Sequence, residues 1–487
     1  MNQLKPTMAR SAGRLAAPAV QRGLSLIELM ISIGISMVIL AGLMTMLVNV
    51  TTTNNELAKA NAQIENGRFA VQLIESEVVH AGFWGGFVPQ FDDVNWAAVP
   101  GDTPTQIPDP CLAYPAAGWT FDHMNNLVGI ALQSSDAAPG DCVLANKKAG
   151  TDVLVVRHAD TCITGAAGCD TTVNGKMYFQ TSRCAAATVG TARAGSTSTT
   201  IVLQAATHTT TTSTTPNAYA GMSIRLTGGT GGGQTKTVTA YNAVTNTATI
   251  SGTWSTVPDV TTTYAIAENT LSTSGLTLKQ RGSDCGTAAV AEVRKYVSNI
   301  YYVRDYANTV GDGIPTLVRS EYDPTGPPAL AHQAAQALVE GIEGFAVELG
   351  IDNKVTRCNP NTNVVYGEIN KVNPLTCTVA TETEDNTLPT NRGDGNPDLY
   401  RRCTTADPCT AQQLTNVVAA KIYLLVRNTQ PTSGYQDAKT YCMAGRPANG
   451  VCPTGQTFGP FLDGFKRHLF TTTVRLTNVS GRRETPK

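Results

Sequence analysis

One carboxylate, Glu28, stands in the run Leu24–Val48, LSLIELMISIGISMVILAGLMTMLV, which is otherwise apolar or small and carries no other charge. The run is long enough for a membrane-spanning helix, which needs about 20 apolar residues. A carboxylate in hydrocarbon costs roughly 2.5–3.5 kcal/mol even on insertion scales, so such a group is expected to have a partner and a function. A second set with chemical potential is Asp352 with Asp394, Asn396 and Asp398. The last three alternate around Gly393 and Gly395, and oxygens spaced in this way suit calcium, which takes six to eight oxygen ligands. The alternative there is a polar turn capped by its own Asx side chains.

Twelve cysteines all follow the apolar run, and no Cys-x-x-Cys occurs. That usage reads as disulfides in an oxidising compartment rather than a zinc ribbon or redox motif. Short intervals suggest Cys162–Cys169, Cys403–Cys409 and Cys442–Cys452 as local staples. Cys358 and Cys377 could close the detour between Asp352 and Asn391 and so bring Asp352 to the acidic turn.

Ahead of the apolar run, residues 1–23 contain Lys5, Arg10, Arg14 and Arg22 and no acid. Positive charge flanking a first helix holds that side in the cytoplasm, so everything beyond Val48 is expected across the membrane. Glu28 is the fifth residue after Gly23. This spacing, in Gly23-Leu24-Ser25-Leu26-Ile27-Glu28-Leu29, resembles the class III signal of type IV pilins and type II secretion pseudopilins. The resemblance implies cleavage by a prepilin peptidase between Gly23 and Leu24, methylation of the new N-terminus, and a glutamate at mature position five. Leu24 stands where the family usually has Phe, and the leader is longer than in major pilins. The freed amine of Leu24 would be a cation at the top of an apolar helix. Glu28 of one subunit could then meet that amine of its neighbour, each charge offsetting the other's desolvation. In the first turn, Glu28 also complements the helix dipole.

Beyond Glu56, apolar or small residues recur at Leu57, Ala60, Ile64, Gly67, Val71, Ile74, Val78 and Ala81, steps of three and four that share one helical face. Charged side chains (Lys59, Glu65, Arg68, Glu75, Glu77) occupy the other. The helix is expected to end near Gly82 and to need a sheet to cover its stripe. The stretches Glu65–Ala70, Ala81–Phe83, Asp152–Arg157, Val339–Glu343, Val417–Arg427 and Lys466–Leu476 are similar to the PilW group of minor pilins, in the same order along the chain.

From Phe87 onward, Val153–Arg157, Val297–Val303, Leu317–Ser320, Gly344–Leu349, Ala419–Val426 and Phe470–Leu476 read as strands; later helical content is small, with Ala329–Val339 its best candidate. The expected fold is α+β and pilin-like: a long hydrophobic-then-amphipathic N-terminal helix on an antiparallel sheet, with large β-rich and loop insertions. The divisions are a leader at 1–23, a membrane or filament-core helix at 24–48, its amphipathic continuation at 49–85, and a β-rich periplasmic or extracellular region at 86–487. Within the last, a Thr/Ser/Gly-rich β insertion spans about 190–267 and a disulfide-bearing loop about 353–391. Residues 91–112 read as an irregular loop.

At a net charge of −1, going to −5 without the leader, and with no basic stripe, nucleic acid is not indicated as a partner. The common hydrolase, phosphate-binding and dinucleotide motifs are absent, and the chain does not read as an enzyme. The expected partners are prepilin peptidase, other minor pilins, the major pilin and the inner membrane before assembly. The expected function is initiation of pilus assembly at or near the tip. The alternatives are a tip adhesin with a surface or host ligand, and a type II secretion pseudopilin.

Overall fold

The computed structural model describes residues 25–92, 102–116, 118–182, 189–205, 212–267, 269–276, 278, 290–326, 329–352, 357–359, 364–366, 372–373, 378–379, 393, 395–445, 452–453 and 455–483. The fold is α+β. Helix α1 runs without a break over Leu26–His80. It stops where Gly82 takes a positive φ of 73°, a conformation that a side chain disfavours. Among the described residues three short α-helices follow, α2 (Phe121–Gly129), α3 (Ala411–Thr415) and α4 (Thr477–Arg483).

The strands form three principal antiparallel sheets. In the first, Leu399–Arg401, Ile342–Ile351, Val417–Arg427 and Arg467–Arg475 lie side by side in that order. Every residue of Ile342–Ile351 is buried. One face of this sheet presents Phe345, Val347, Leu349, Ile422, Leu424 and Val474 to α1. The other presents Ala346, Tyr423 and Leu425 to Met443, in the loop closed by Cys442–Cys452, and to Phe458 just beyond it. Two covered faces explain why these strands read as nearly continuous apolar runs rather than alternating ones.

The second sheet contains Leu132–Ser135, Val153–Ala159, Val293–Arg304, Thr316–Gly326 and Ala329–His332 in spatial order. Leu132, Leu154, Val156, Tyr301, Val303 and Leu317 from this sheet join the same core as the first sheet and α1. Its opposite face, Val153, Val155, Ile300, Tyr302 and Val318, lies under the loop stapled by Cys111–Cys142.

The segment expected as a helix, Ala329–Val339, is strand instead. Ala329–His332 and Gln336–Glu340 both pair with Thr316–Gly326. Alanine-rich composition favours a helix only weakly, and hydrogen bonding to a sheet edge overrides it. The signals for the helices α2 and α3 were N-caps: Thr120 accepts from the His123 amide, and Thr410 forms a reciprocal capping box with Gln413. Of the loop expected over residues 91–112, the described part is a 3-10 turn at Gln90–Asp92 followed by irregular chain from residue 102. Burial pushes the Asp102 carboxyl up to about 6 although it accepts from the Gln90 amide at 2.7 Å.

The third sheet is the insertion. Seven strands between Val189 and Ile266 form one sheet with its own core, around Leu203, Tyr219, Ile224, Leu226, Val238, Tyr241, Trp254 and Tyr264. It grows from a hairpin of the main body: Tyr178–Thr181 pairs with Asn269–Ser272, with Thr181 opposite Asn269. The detour after Asp352 is arranged similarly. It leaves the end of Ile342–Ile351 and returns as Leu399–Arg401, with Ile351 opposite Leu399.

Buried charge locks the two main sheets together. Asp152, fully buried at the start of Val153–Ala159, accepts from the Arg402 Nε at 2.9 Å and from the Val347 amide at 2.9 Å. Burial raises the Asp152 carboxyl above its ordinary range even with Arg402 beside it. Removing the cation should therefore leave a buried anion with one amide for company. Arg402→Met is expected to cost about 3–5 kcal/mol at pH 7. Because the folded-state carboxyl titrates above the unfolded one, the loss should grow as pH rises and shrink towards pH 4. Thermal melts of wild type and variant at the two pH values check this; a deficit that does not depend on pH would reject the electrostatic account.

Candidate functional site

The described residues contain one helix long and apolar enough to cross a membrane, and it is α1. From Leu26 to Val48 its large apolar side chains, Leu26, Met30, Val38 and Leu47 among them, are exposed. Hydroxyls within the run turn back on the helix: Ser32 donates to the Leu29 carbonyl at 2.9 Å and Thr45 to that of Gly42 at 2.8 Å. No polar group of these side chains is then left for hydrocarbon to bear. Glu28 has a partner that spacing alone did not bring out. Its Oε2 accepts from the Ser25 amide at 3.0 Å, and the Ser25 hydroxyl accepts from the Glu28 amide at 3.3 Å. Ser25 and Glu28 thus form a capping box at the helix start, and the Ser-x-x-Glu pattern was its signal. Gly23 and Leu24 lie outside the described residues.

The second stretch of the helix is seated. Gln63, Gly67, Ala70, Ile74 and Val78 are its buried residues, followed by Ala81 just beyond. The buried face is rotated slightly from the one expected, because Ile64 and Leu57 are exposed while Gln63 is inside. The reason is polar. Gln63 Nε2 donates to the Val426 carbonyl at 2.6 Å and the Lys466 carbonyl at 3.1 Å, on two neighbouring segments of the first sheet. Asn66 donates to the Glu340 carbonyl at 3.1 Å, and Lys59 Nζ to that of Pro431 at 2.9 Å. Further along, Thr472 donates to Glu75, and Asn478 Nδ2 to the Val79 carbonyl at 2.9 Å. Gly67 is the point of closest approach: a Cβ there would run into the ring of Phe470.

A buried charge cluster underlies the same strands. Arg467 donates to Glu343, to Asp437 at 3.0 Å and to Asp463 at 2.6 Å, with its guanidinium 3.7 Å from the centre of the Phe461 ring. Arg427 Nη1 approaches Glu343 at 3.6 Å and lies over Phe465. The Arg467 hydrogen bonds hold the Asp463 carboxyl below its usual range, and desolvation opposes this only in part.

The acidic turn is partly visible. Asp352 is buried; its carboxylate accepts from the Gly395 amide at 2.7 Å and lies against Gly393, whose φ is +83°. The Asp398 amide donates to the Ile351 carbonyl at 2.9 Å, which ties the returning chain to the strand. Asn396 is described in the same turn, and Asp394 lies outside the described residues. Asp352 is therefore brought to the turn, where at least one of its oxygens fastens backbone. Among the described residues, the one group of three potential ligand atoms within 4.8 Å is Asp109, Cys111 and Cys142, and its two cysteines are joined as a disulfide. Cys162–Cys169, Cys403–Cys409 and Cys442–Cys452 are bonded. Cys358 falls in a described strand without a described side chain, and Cys377 lies outside the described residues.

Residues 300–478 match the family model for Type IV Pilus-assembly protein W, and residues 19–44 match the prokaryotic N-terminal methylation motif. Over these two stretches the chain is similar to PilW-type pilus-assembly proteins and to the N-terminal motif of methylated pilin-like proteins. The match covers all four strands of the first sheet, and the motif covers the start of α1. No curated protein and no solved structure matches the chain. The methylation motif coincides with the apolar start of α1, the one described helix long and apolar enough to cross a membrane.

Enlarging position 67 tests the seat. Gly67→Leu should lower stability by about 1–3 kcal/mol through overpacking against Phe470. Combining it with Phe470→Ala should recover most of the loss. Thermal unfolding of the single and double variants measures this; equal losses in both would mean that Gly67 is not the contact.

Proposed function

We propose that this PilW-type subunit helps to start type IV pilus assembly and occupies a position at or near the pilus tip. In this reading it is made as a single-pass precursor in the inner membrane with a cytoplasmic N-terminus. Prepilin peptidase cuts between Gly23 and Leu24, and the mature chain moves into the fibre, and so out of the cell, with other minor pilins and the major pilin. The carrying observation is α1 itself. Residues Gln63–Ala81 are seated on the sheets by an apolar face and by side-chain hydrogen bonds to strand ends, while the apolar side chains from Leu26 to Val48 are exposed. Exposed apolar surface of this extent needs lipid or other helices. Lipid before assembly and neighbouring pilin helices after it meet the same need.

Glu28 fits a two-stage role. Its carboxylate caps its own helix, and the freed Leu24 amine of a neighbouring subunit would give it a cation in an apolar setting. A shaft built from repeated copies leaves little room for a β-rich region of this size, which favours an end position. Intact mass of the purified protein should correspond to a chain beginning at methylated Leu24; a chain retaining residues 1–23 would rule out the processing step. Glu28→Ala should leave the precursor inserted and processed but sharply reduce piliation, and piliation at the wild-type level would contradict the assembly contact.

A second reading has a specific observation behind it. The insertion between Val189 and Ile266 has its own core and an outer surface rich in threonine hydroxyls, including Thr227, Thr237, Thr239 and Thr263. A self-contained module on a tip subunit suits binding to a surface or host ligand. Because Thr181 and Asn269 already pair, residues 190–267 can be replaced by a short turn with little strain on the body. Normal pilus number with lost attachment supports the binding role; lost pili assign the segment to assembly.

A further inference from the structure

The loop closed by Cys111–Cys142 carries α2 over one face of the second sheet, and two imidazoles that no step above uses lie at that seam. His123 comes from α2 and His332 from Ala329–His332. A row of rings joins them. Between ring centres, His123 is 5.1 Å from Trp119, Trp119 is 6.2 Å from Tyr322, and Tyr322 is 5.5 Å from His332. The Tyr322 hydroxyl donates to the Leu112 carbonyl at 3.1 Å, and Tyr114 and Leu330 exchange backbone hydrogen bonds of 2.9 Å, so the loop is fastened along this row.

The charge at the seam is one-sided. Arg157, from Val153–Ala159, is fully buried, and a guanidinium keeps its proton. It donates to two neutral acceptors, the Ile130 carbonyl at 2.9 Å and Gln133 Oε1 at 2.8 Å, and among the described residues it has no carboxylate at ion-pair distance. The Nε2 atoms of His123 and His332 are buried without a hydrogen-bond partner. For His332 the tautomer follows from its neighbour. The Ser320 hydroxyl donates to the Gln333 carbonyl at 2.6 Å, so it accepts from His332 Nδ1 at 3.2 Å, and Nε2 keeps the lone pair. A second proton on that ring would make a buried N–H with no acceptor. Burial, with the Arg157 charge adding to it, pushes His123 down to about 4 and His332 down to about 3. Asp109 faces His123 and opposes its shift. The remaining charges on these elements are matched: Asp122 pairs with Arg225, Asp323 with Lys176 at 3.6 Å, and Arg319 with Glu321. Tyr296, 6.4 Å from Tyr322 between ring centres, is kept neutral by burial.

We propose that the α2 cover is an acid-sensitive joint, seated on the second sheet while His123 and His332 are neutral and loosened when they take up protons beside Arg157. Both imidazoles titrate below the ordinary histidine value of 6.5. Seating is therefore at full strength above about pH 6.5 and weakens as pH falls from there. The loosening is local. Trp84 Nε1 donates to the Val128 carbonyl at 3.1 Å and Arg157 holds Ile130, so the C-terminal end of α2 is pinned, while His123 stands near its N-terminal end. The disulfide keeps the lifted loop attached. Opening uncovers an aromatic patch of Tyr114, Trp119 and Tyr322. The joint depends neither on tip position nor on ligand binding by the insertion.

The test uses the full chain in detergent, with hydrogen exchange measured at about pH 7.5 and about pH 5 and corrected for the intrinsic rate. Protection of Phe121–Gly129 should fall at the lower pH by about tenfold or more for each imidazole that opening exposes, while Val417–Arg427 keeps its protection. His123→Gln combined with His332→Gln should remove most of that pH dependence, and His468→Gln on the strand Arg467–Arg475 should leave it as in wild type. In the wild-type protein alone, NMR titration of the imidazole C–H signals should place two histidines below about pH 5. Equal loss of protection in wild type and double variant, or titration of every imidazole near 6.5, overturns the proposal.

Discussion

The folded body depends on one helix face finding a cover. Gly67, Ala70, Ile74, Val78 and Ala81 cannot be left in water, and neither sheet closes its core without them. The first sheet supplies Phe345, Val347 and Leu424 to that face, and the second supplies Leu154, Val156 and Tyr301. The small residues at 67, 70 and 81 let the backbone come close, and Ile74 and Val78 fill the depth. Polar groups at the margin set the rotation of the helix about its axis: Gln63 and Asn66 donate to the Val426 and Glu340 carbonyls. A residue on the wrong side of this seam would cost both an apolar contact and a hydrogen bond. Hence the helix register is held by two kinds of interaction with different distance dependence.

Much of this seam was legible because helical periodicity is local. Gly67, Ile74, Val78 and Ala81 are readable from steps of three and four, and the strands Val153–Ala159 and Val417–Arg427 from their apolar runs. The error at Ile64 and Gln63 has a physical source. A hydropathy pattern cannot see that a polar side chain is wanted inside by carbonyls far away in sequence, here Val426 and Lys466. The failure at Ala329–Val339 has the same origin, since the neighbour that makes it strand is Thr316–Gly326 and composition knows nothing of it. The capping box of Ser25 and Glu28 is the opposite case. It is wholly local, written in the sequence as Ser-x-x-Glu at the start of an apolar run.

Buried charge is the part least accessible to sequence. Arg467 gathers Glu343, Asp437 and Asp463, and Arg483 joins Asp92 at 2.8 Å with Asn416. Each set unites segments tens to hundreds of residues apart. Such sets contribute little net stability relative to apolar replacements, but breaking one member is costly. That asymmetry suits a protein whose sheets must meet in a single arrangement. Asp152 and Arg402 fix how one sheet stands against the other, and Arg467 ties the strand Arg467–Arg475 to Ile342–Ile351 across Val417–Arg427.

The two large elaborations follow from where strand ends already meet. The 353–391 detour leaves and re-enters between Ile351 and Leu399, which are partners in the first sheet. The Val189–Ile266 sheet leaves and re-enters through Thr181 and Asn269, which are partners in the second. Closing a longer loop between points already held together adds only a slowly growing entropic cost. An insertion at such a point need not disturb the register of the strands that carry it. The inserted sheet offsets its own ordering with its own core around Leu226, Val238 and Tyr264 rather than by borrowing from α1's. The helix and its seat can therefore keep one geometry whatever the length and surface chemistry of the chain at the hairpin tip.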